Sequence, residues 1–240
     1  MRILAYNIWN GGADRLGAIA DVIRGERPDA VALVETTADS ASALADELGL
    51  QLVFGKSNSI FDVHVAWLSR RPAGRARNHR LAALAKTLLE VEVDGLELFV
   101  AHLASRHEEH AHPRDRELGE ILRVLGRVDG PHLLVGDFNA LRPGDPVGAP
   151  PPGVEPRGDA LPGAPRTVLA PLMAAGYVDC YRSLHDDPGY TYPADAPWLR
   201  LDYAFASREL APRLAACDVV RGDLAARASD HLPLVVDIAP

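Results

Sequence analysis

With 240 residues, 48% of them hydrophobic, the chain can bury one sizeable core, and a single domain over residues 1–240 is the expectation. Its apolar runs are strand-length, its N-terminus lacks signal-peptide architecture, and Cys180 and Cys217 are too few for a disulfide framework or a zinc site, so a cytoplasmic protein without transmembrane segment is expected. The net charge of −8 speaks against a nonspecific polyanion binder.

Ile3–Asn7 and Ala30–Glu35 read as strands, with a helix between them capped by Asp14 and striped by Leu16, Ile19, Ala20 and Ile23. A second helix fits Asp39–Leu48. Strands follow at Leu52–Phe54, Val63–Leu68, Leu84–Val93 and Leu96–Leu103, and Asp94-Gly95 between the last two signals a hairpin. A third helix covers Arg114–Val128, and strand His132–Val135 runs into Gly136-Asp137-Phe138-Asn139. Residues 142–166 are crowded with Pro and Gly and read as a long surface loop before a short helix at Thr167–Ala175, which Gly176 can end. The last strands are Leu201–Ala206, Ala216–Val220 and Leu234–Ile238. This mixture, with hairpins in the middle, indicates α/β layers with mixed or antiparallel sheets.

One stretch is charged in a single sense. Arg70, Arg71, Arg75, Arg77, Arg80 and Lys86 fall between Val63 and Leu89 without an acid. A solvated loop between two strands and a local phosphate-facing surface both fit.

The polar residues at strand ends carry more information. Asn7, Glu35 and His102 end strands, Asp137 and Asn139 lie just past another, Asp202 starts one, and Asp230-His231 precedes the last. Singly, each has a plain explanation: an Asx turn, a cap, a buried core histidine, a surface ion pair. If the late strands run opposite to the early ones, all eight gather on one edge of the sheets. Four carboxylates, two amides and two imidazoles from six segments then converge, and phosphate-ester hydrolysis needs such a set. A hard cation takes oxygen ligands such as Glu35, Asp137, Asn139 and Asp230, and a histidine oriented by a carboxylate exchanges the proton.

At these residues the sequence resembles the endonuclease/exonuclease/phosphatase superfamily, the deoxyribonuclease I-like fold. The matching segments are Arg2–Ile8, Pro28–Glu35, Val65–Arg70, Ala101-His102-Leu103, Gly136–Asn139, Leu201-Asp202-Tyr203 and Ser229-Asp230-His231, in family order over essentially the whole chain. The resemblance implies a four-layer α/β/β/α sandwich; the oxygen-rich donor set points to a Mg²⁺ or Mn²⁺ cofactor, and the net charge with its one arginine run to a phosphate-ester substrate that can include a short stretch of nucleic acid, with a monomer expected. The resemblance also implies that Glu35 is the principal metal ligand with Asn7 beside it, and that Asp137 orients or deprotonates the attacking water, helped by Asn139. Asp230 becomes a second metal-side carboxylate, His231 a proton-transfer or phosphate-binding group, Asp202 its orienter, and His102 a contact to the scissile phosphate. Arg70, in the loop after the Val65–Ser69 strand, is expected beside the site as a substrate contact.

There are departures. Abasic-site endonucleases carry a tyrosine motif where this chain has Ala101-His102-Leu103, so that activity is not expected. Many relatives have an Arg followed three residues later by Gln; here Arg116 is followed by Gly119. The His-rich segment 106–112 reads as an exposed loop before the third helix, and the Pro-rich loop is expected at the rim, where it could select substrate. A phosphodiesterase is the favoured function; a phosphomonoesterase or an inactive binding module are the alternatives.

Overall fold

The computed structural model describes all residues, 1–240. In chain order the elements are β1 (Arg2–Asn7), α1 (Leu16–Glu26), β2 (Ala30–Thr36), α2 (Ala38–Leu48), β3 (Gln51–Gly55), β4 (His64–Ser69), β5 (Arg75–His79), β6 (Leu88–Val93) and β7 (Leu96–His102). Then come α3 (Arg114–Leu125), β8 (His132–Asp137), α4 (Ala170–Ala174), β9 (Val178–Asp179), β10 (Asp202–Ala206), β11 (Leu214–Val219), α5 (Asp223–Ala228) and β12 (Leu234–Ile238).

Strand residues alternate between two buried layers, which is why these strands read as continuous apolar runs rather than half-polar ones. In β1, Ile3 and Ala5 join the layer between the sheets while Leu4 and Tyr6 face the helices; in β2, Ala30, Ala32 and Val34 do the former, Val31 and Leu33 the latter. In β7, Leu96, Leu98 and Val100 point to the inter-sheet core and Phe99 and Ala101 to the layer shared with Leu118, Ile121 and Leu125 of α3. The result is the four-layer α/β/β/α sandwich. One sheet has the order β11-β12-β1-β2-β4-β3, the other β5-β6-β7-β8-β10-β9.

Each sheet contains one parallel pair joined by a helical crossover. β1 and β2 are linked through α1, and β7 and β8 through α3. Ligands of open sheets bind outside the carboxyl ends of such pairs. Here those ends carry Asn7 and Glu35 in one sheet, His102 and Asp137 in the other. The antiparallel partners β10 and β12 enter from the same edge, so Asp202, paired with Asp137, and His231, just ahead of β12, arrive there too. All the long connections leave this catalytic edge. The opposite edge is closed by short ones such as the Asp94-Gly95 turn, where φ values of 51° and 77° match the left-handed turn read from the sequence.

Four local readings need correction. Asp14 does not cap α1; it lies in a 3₁₀ segment, Asn10–Arg15, and the helix starts without a side-chain cap. The strand placed at Leu84–Val93 starts at Leu88. Inside the arginine stretch lies a strand, β5, at the edge of its sheet. Arg70, at the far end of β4, follows Ser69, which pairs with Ala30 at the start of β2; its Nε donates to Pro28 O at 2.9 Å. It therefore sits on the edge opposite to Glu35. The loop after β4 is remote from the site because β4 runs antiparallel to β2.

Gly136 is the tightest backbone constraint near the catalytic edge. Its φ is 140°, and a Cβ there would lie 1.9 Å from Ala101 O on β7. Gly136→Ala should cost about 3 kcal/mol, a fall in Tm of roughly 6–12 °C for a chain of this size, as measured by thermal unfolding. Gly119→Ala, in α3 with open space at the Cβ, should instead be neutral or stabilise by about 0.5–1 kcal/mol. Equal Tm values for the two variants would contradict this assignment.

Candidate active site

The site is built from strand ends, and two of its residues sit in strained backbone. Glu35 has a φ of 57° and is the extra residue where the β2–β4 register shifts between Val34 and Thr36. A bulge re-aims a side chain, and this one releases Glu35 from the alternation of β2. Its Oε2 accepts from the Asn10 N–H at 3.0 Å and its Oε1 lies 3.3 Å from Asn7 Nδ2. Asn139 has a φ of 46°, a conformation that Asn tolerates better than most residues. Its N–H donates to Asp137 Oδ1 at 2.8 Å, and its Nδ2 lies 3.2 Å from both Leu103 O and His102 Nε2.

Asp137 is the centre. Its Oδ2 accepts from Asn7 Nδ2 at 3.0 Å and faces His102 Nε2 at 3.7 Å and His231 Nε2 at 3.8 Å. His231 Nδ1 is 2.8 Å from Asp202 Oδ2, so its ring is held between Asp202 and Asp137. Two donor groups result: Glu35, His102 and Asp137, and Asp137, Asp202 and His231, the ligand atoms of each lying within 4.8 Å of one another. Asp230 stands beside them, half-buried, in electrostatic reach of Glu35 and His231.

The titrations follow from burial and charge. Burial pushes the Asp137 carboxyl up, and Asp202 adds to this while His231 and His102 oppose it. Burial also raises Asp230. For Glu35 burial works upward too, but the His102 charge and the hydrogen bonds from Asn10 and Asn7 bring it below the ordinary carboxylate range. Burial lowers His102. His231 is also buried, yet Asp202 and Asp137 together raise it to about 10. Carboxylates crowded and desolvated in this way fit a hard divalent cation, which reverses the upward shifts; the Asn7 and Asn139 amides turn Nδ2 rather than oxygen toward them.

Seven of the nine sequence-derived positions, Asn7, Glu35, His102, Asp137, Asn139, Asp202 and His231, meet in this one cluster; Asp230 flanks it and Arg70 is absent from it. Sequence reasoning passed over several supporting groups. Thr191 Oγ1 accepts from the Leu201 and Asp202 N–H groups, at 3.2 and 3.3 Å. Ser229 Oγ donates to Asn7 O at 2.7 Å, joining β1 to the approach to β12. The Tyr192 ring packs on the His231 ring with centroids 4.8 Å apart. Of these only Ser229 was signalled, by its place before Asp230-His231. The Arg-to-Gln spacing sought at Arg116 and Gly119 is met two residues earlier, by Arg114 and Glu117, both buried. Glu117 accepts from the Ala85 N–H at 2.8 Å and the Ala104 N–H at 2.7 Å, tying the connection before β6 to the chain just after His102; burial raises its carboxyl to about 7. In the His-rich segment 106–112 no group of metal-ligating side chains converges.

Comparison with known proteins agrees with the fold. A family model described as Endonuclease/Exonuclease/phosphatase family matches residues 4–231. No curated protein sequence matches. Among solved structures, an AP endonuclease from Archaeoglobus fulgidus is similar at 20% identity with a TM-score of 0.80, over 99% of each chain. A 3′ phosphatase from Neisseria bound to product DNA hairpin is similar at 22% identity with a TM-score of 0.79, over 100% of each chain. A family protein from Leptotrichia buccalis follows at 18% identity and a TM-score of 0.71, again over 100% of each chain.

The His231 titration can be checked directly. In metal-free protein its imidazolium should persist at pH 8 by NMR, and Asp202→Asn should lower that titration. Because the folded value lies above the ordinary histidine value of about 6.5, the stabilisation is full below about pH 6.5 and is lost as pH rises through about 10. Chemical unfolding in chelator should show this loss in the wild type and less of it in His231→Gln. A neutral His231 at pH 8 in the wild type contradicts the pairing.

Proposed function

The chain belongs to the Endonuclease/Exonuclease/phosphatase family, and we propose that it is a Mg²⁺- or Mn²⁺-dependent phosphodiesterase whose substrate is a small diester or a short stretch of nucleic acid. Family membership makes it a phosphoester hydrolase. The observation that carries the finer reading is His231 held by Asp202 and facing Asp137, which is shared with the Glu35 and His102 group.

In this reading Glu35, Asp137 and Asp230 would hold the cation, which when bound neutralises phosphate oxygens and lowers the pKa of water, while the Asn7 and Asn139 amides steady the carboxylates through Nδ2. Asp137 aligns the attacking water and takes its proton. The Asn139 N–H and the Asn7 amide fix the carboxylate for that task, from opposite sides of the group. Asp202 holds His231 so that Nε2 faces the reacting phosphate. A cationic imidazole there donates to a phosphate oxygen as charge develops, or passes its proton to the leaving oxygen. His102 lies against Glu35 and Asp137 on the other side and reaches the same phosphate.

Substrate size follows from charge. Acidic and basic residues of the catalytic-edge loops are in near balance, on a chain of net charge −8. A long polyanion gains little attraction from such a surface, whereas a few nucleotides at an end are acceptable. The DNA hairpin bound by the Neisseria phosphatase makes a DNA end one candidate.

The test uses bis(p-nitrophenyl) phosphate and p-nitrophenyl phosphate side by side. Chelator should abolish diester turnover, and Mg²⁺ or Mn²⁺ should restore it. His231→Ala should lower kcat by about 10²–10⁴-fold without unfolding the protein, and Asp202→Asn by less. Full turnover in chelator overturns the metal reading, near-normal kcat in His231→Ala overturns the proton-transfer assignment, and faster hydrolysis of the monoester makes this a phosphomonoesterase.

A further inference from the structure

We propose that the cavity beside the catalytic cluster is a recognition pocket for the organic part of the substrate, shaped for a nucleoside-sized ring system that carries a second anionic group. The proposal rests on the phosphoester-hydrolase reading of the site and names its substrate class.

The cavity measures about 440 Å³ and reaches Asn139 and Tyr192, which border His102 and His231. A group in it is therefore attached directly to the reacting phosphate. Its volume falls within the range of small-molecule pockets, roughly 300–1,000 Å³, and far exceeds what inorganic phosphate fills. The floor is apolar. Leu141, Ala160 and Trp198 form a small core separate from the layers of the sandwich, with Leu199 and Leu201 packed against it. Trp198 is 5% exposed.

The wall is the Pro-rich loop, and it is fixed rather than draped. The Arg200 guanidinium, itself buried, binds the Asp145 carboxylate at 2.7–3.0 Å and Asp179 at 2.6–3.0 Å. The Asp159 carboxylate accepts from the Leu141 N–H at 3.2 Å, and its carbonyl from Arg166 Nε at 3.1 Å. Gly148 donates to Trp198 O at 2.9 Å, and a Cβ on it would lie 3.0 Å from both Trp198 and Tyr190. A wall already ordered loses little entropy when a ligand enters.

The rim supplies the second specificity. Arg114 is paired with Glu109 at 2.8 Å and stands 3.9 Å from Asp159, so its charge is already answered. Arg106 and Arg157 are exposed, border the cavity and form no ion pair; Glu155 is the one unpaired acid beside them. Two free guanidiniums over an apolar floor suit a ring bearing a phosphate, since guanidinium binds phosphate in bidentate fashion.

The experiment is calorimetric titration of the Mg²⁺-loaded protein with thymidine 3′,5′-bisphosphate and with thymidine 5′-monophosphate. The bisphosphate should bind at least about 10-fold more tightly, and Arg106→Ser/Arg157→Ser should reduce that preference to less than about 2-fold. The same variant should keep its turnover of bis(p-nitrophenyl) phosphate, because neither arginine belongs to the catalytic cluster. Arg75→Ser/Arg77→Ser, remote from the cavity, should retain the preference. Equal affinities in the wild type, no binding of either nucleotide, a preference that survives the Arg106/Arg157 change, or one lost equally in the Arg75/Arg77 variant overturns the proposal. Absence of any diester hydrolysis by the wild type sinks the functional reading instead, and the binding comparison still stands apart from it.

Discussion

A carboxylate sealed from solvent organises this site. Asp137 is 1% exposed, and an isolated charge there is too expensive to keep. Its surroundings answer that cost. One oxygen takes a backbone N–H, the other an amide, and two imidazoles flank it within 4 Å. The Asn7, Asn139, His102 and His231 side chains are aimed by this need as much as by any substrate. The same demand reaches the backbone: Asp137 can sit level with His102 because Gly136 lets β8 approach β7 without a Cβ between them.

Much of this was legible in the sequence, for identifiable reasons. Strands with both faces buried write themselves as largely apolar runs, and Ile3–Asn7, Ala30–Glu35 and Leu96–Leu103, the last interrupted only by Glu97 before His102, did so. Asp94-Gly95 announced its turn because few other pairs accept two positive φ values. Polar residues at the ends of such runs stood out against them, and seven of these now share one cluster. What stayed hidden was relational. A bulge at Glu35 cannot be read from β2 alone, because it exists only in the register with β4. Arg70 was misplaced because the direction of β4 was unknown. Glu117 was overlooked because its partners, the Ala85 and Ala104 N–H groups, are backbone.

The sandwich separates two tasks between its edges. Parallel pairs, hairpin turns and the inter-sheet core set stability and hold the strand ends in place; at the far edge the chain turns back within a few residues. At the catalytic edge the connections are long, and the longest carries a small core of its own under Trp198. On the proposed reading, chemistry common to phosphoester hydrolysis sits on rigid strand ends, whereas recognition sits on loops that can differ without moving Asp137 or Glu35. Within that scheme Arg200 links the two, since it is two residues from Asp202 and grips Asp145 of the loop.

The arginine-rich stretch has a different significance from either reading of it as a loop. β5 ends its sheet, so one side of it offers unpaired N–H and C=O groups to any passing chain. Arg75 and Arg77 lie exposed along that margin. Arg75 is ion-paired with Glu97 and Glu90, whereas Arg77 has no acidic partner, so a second molecule adding a strand here would meet a charged margin rather than an apolar one. Replacing both with apolar β-branched residues would leave the fold of one molecule intact while inviting sheets of neighbouring molecules to join edge to edge into aggregates.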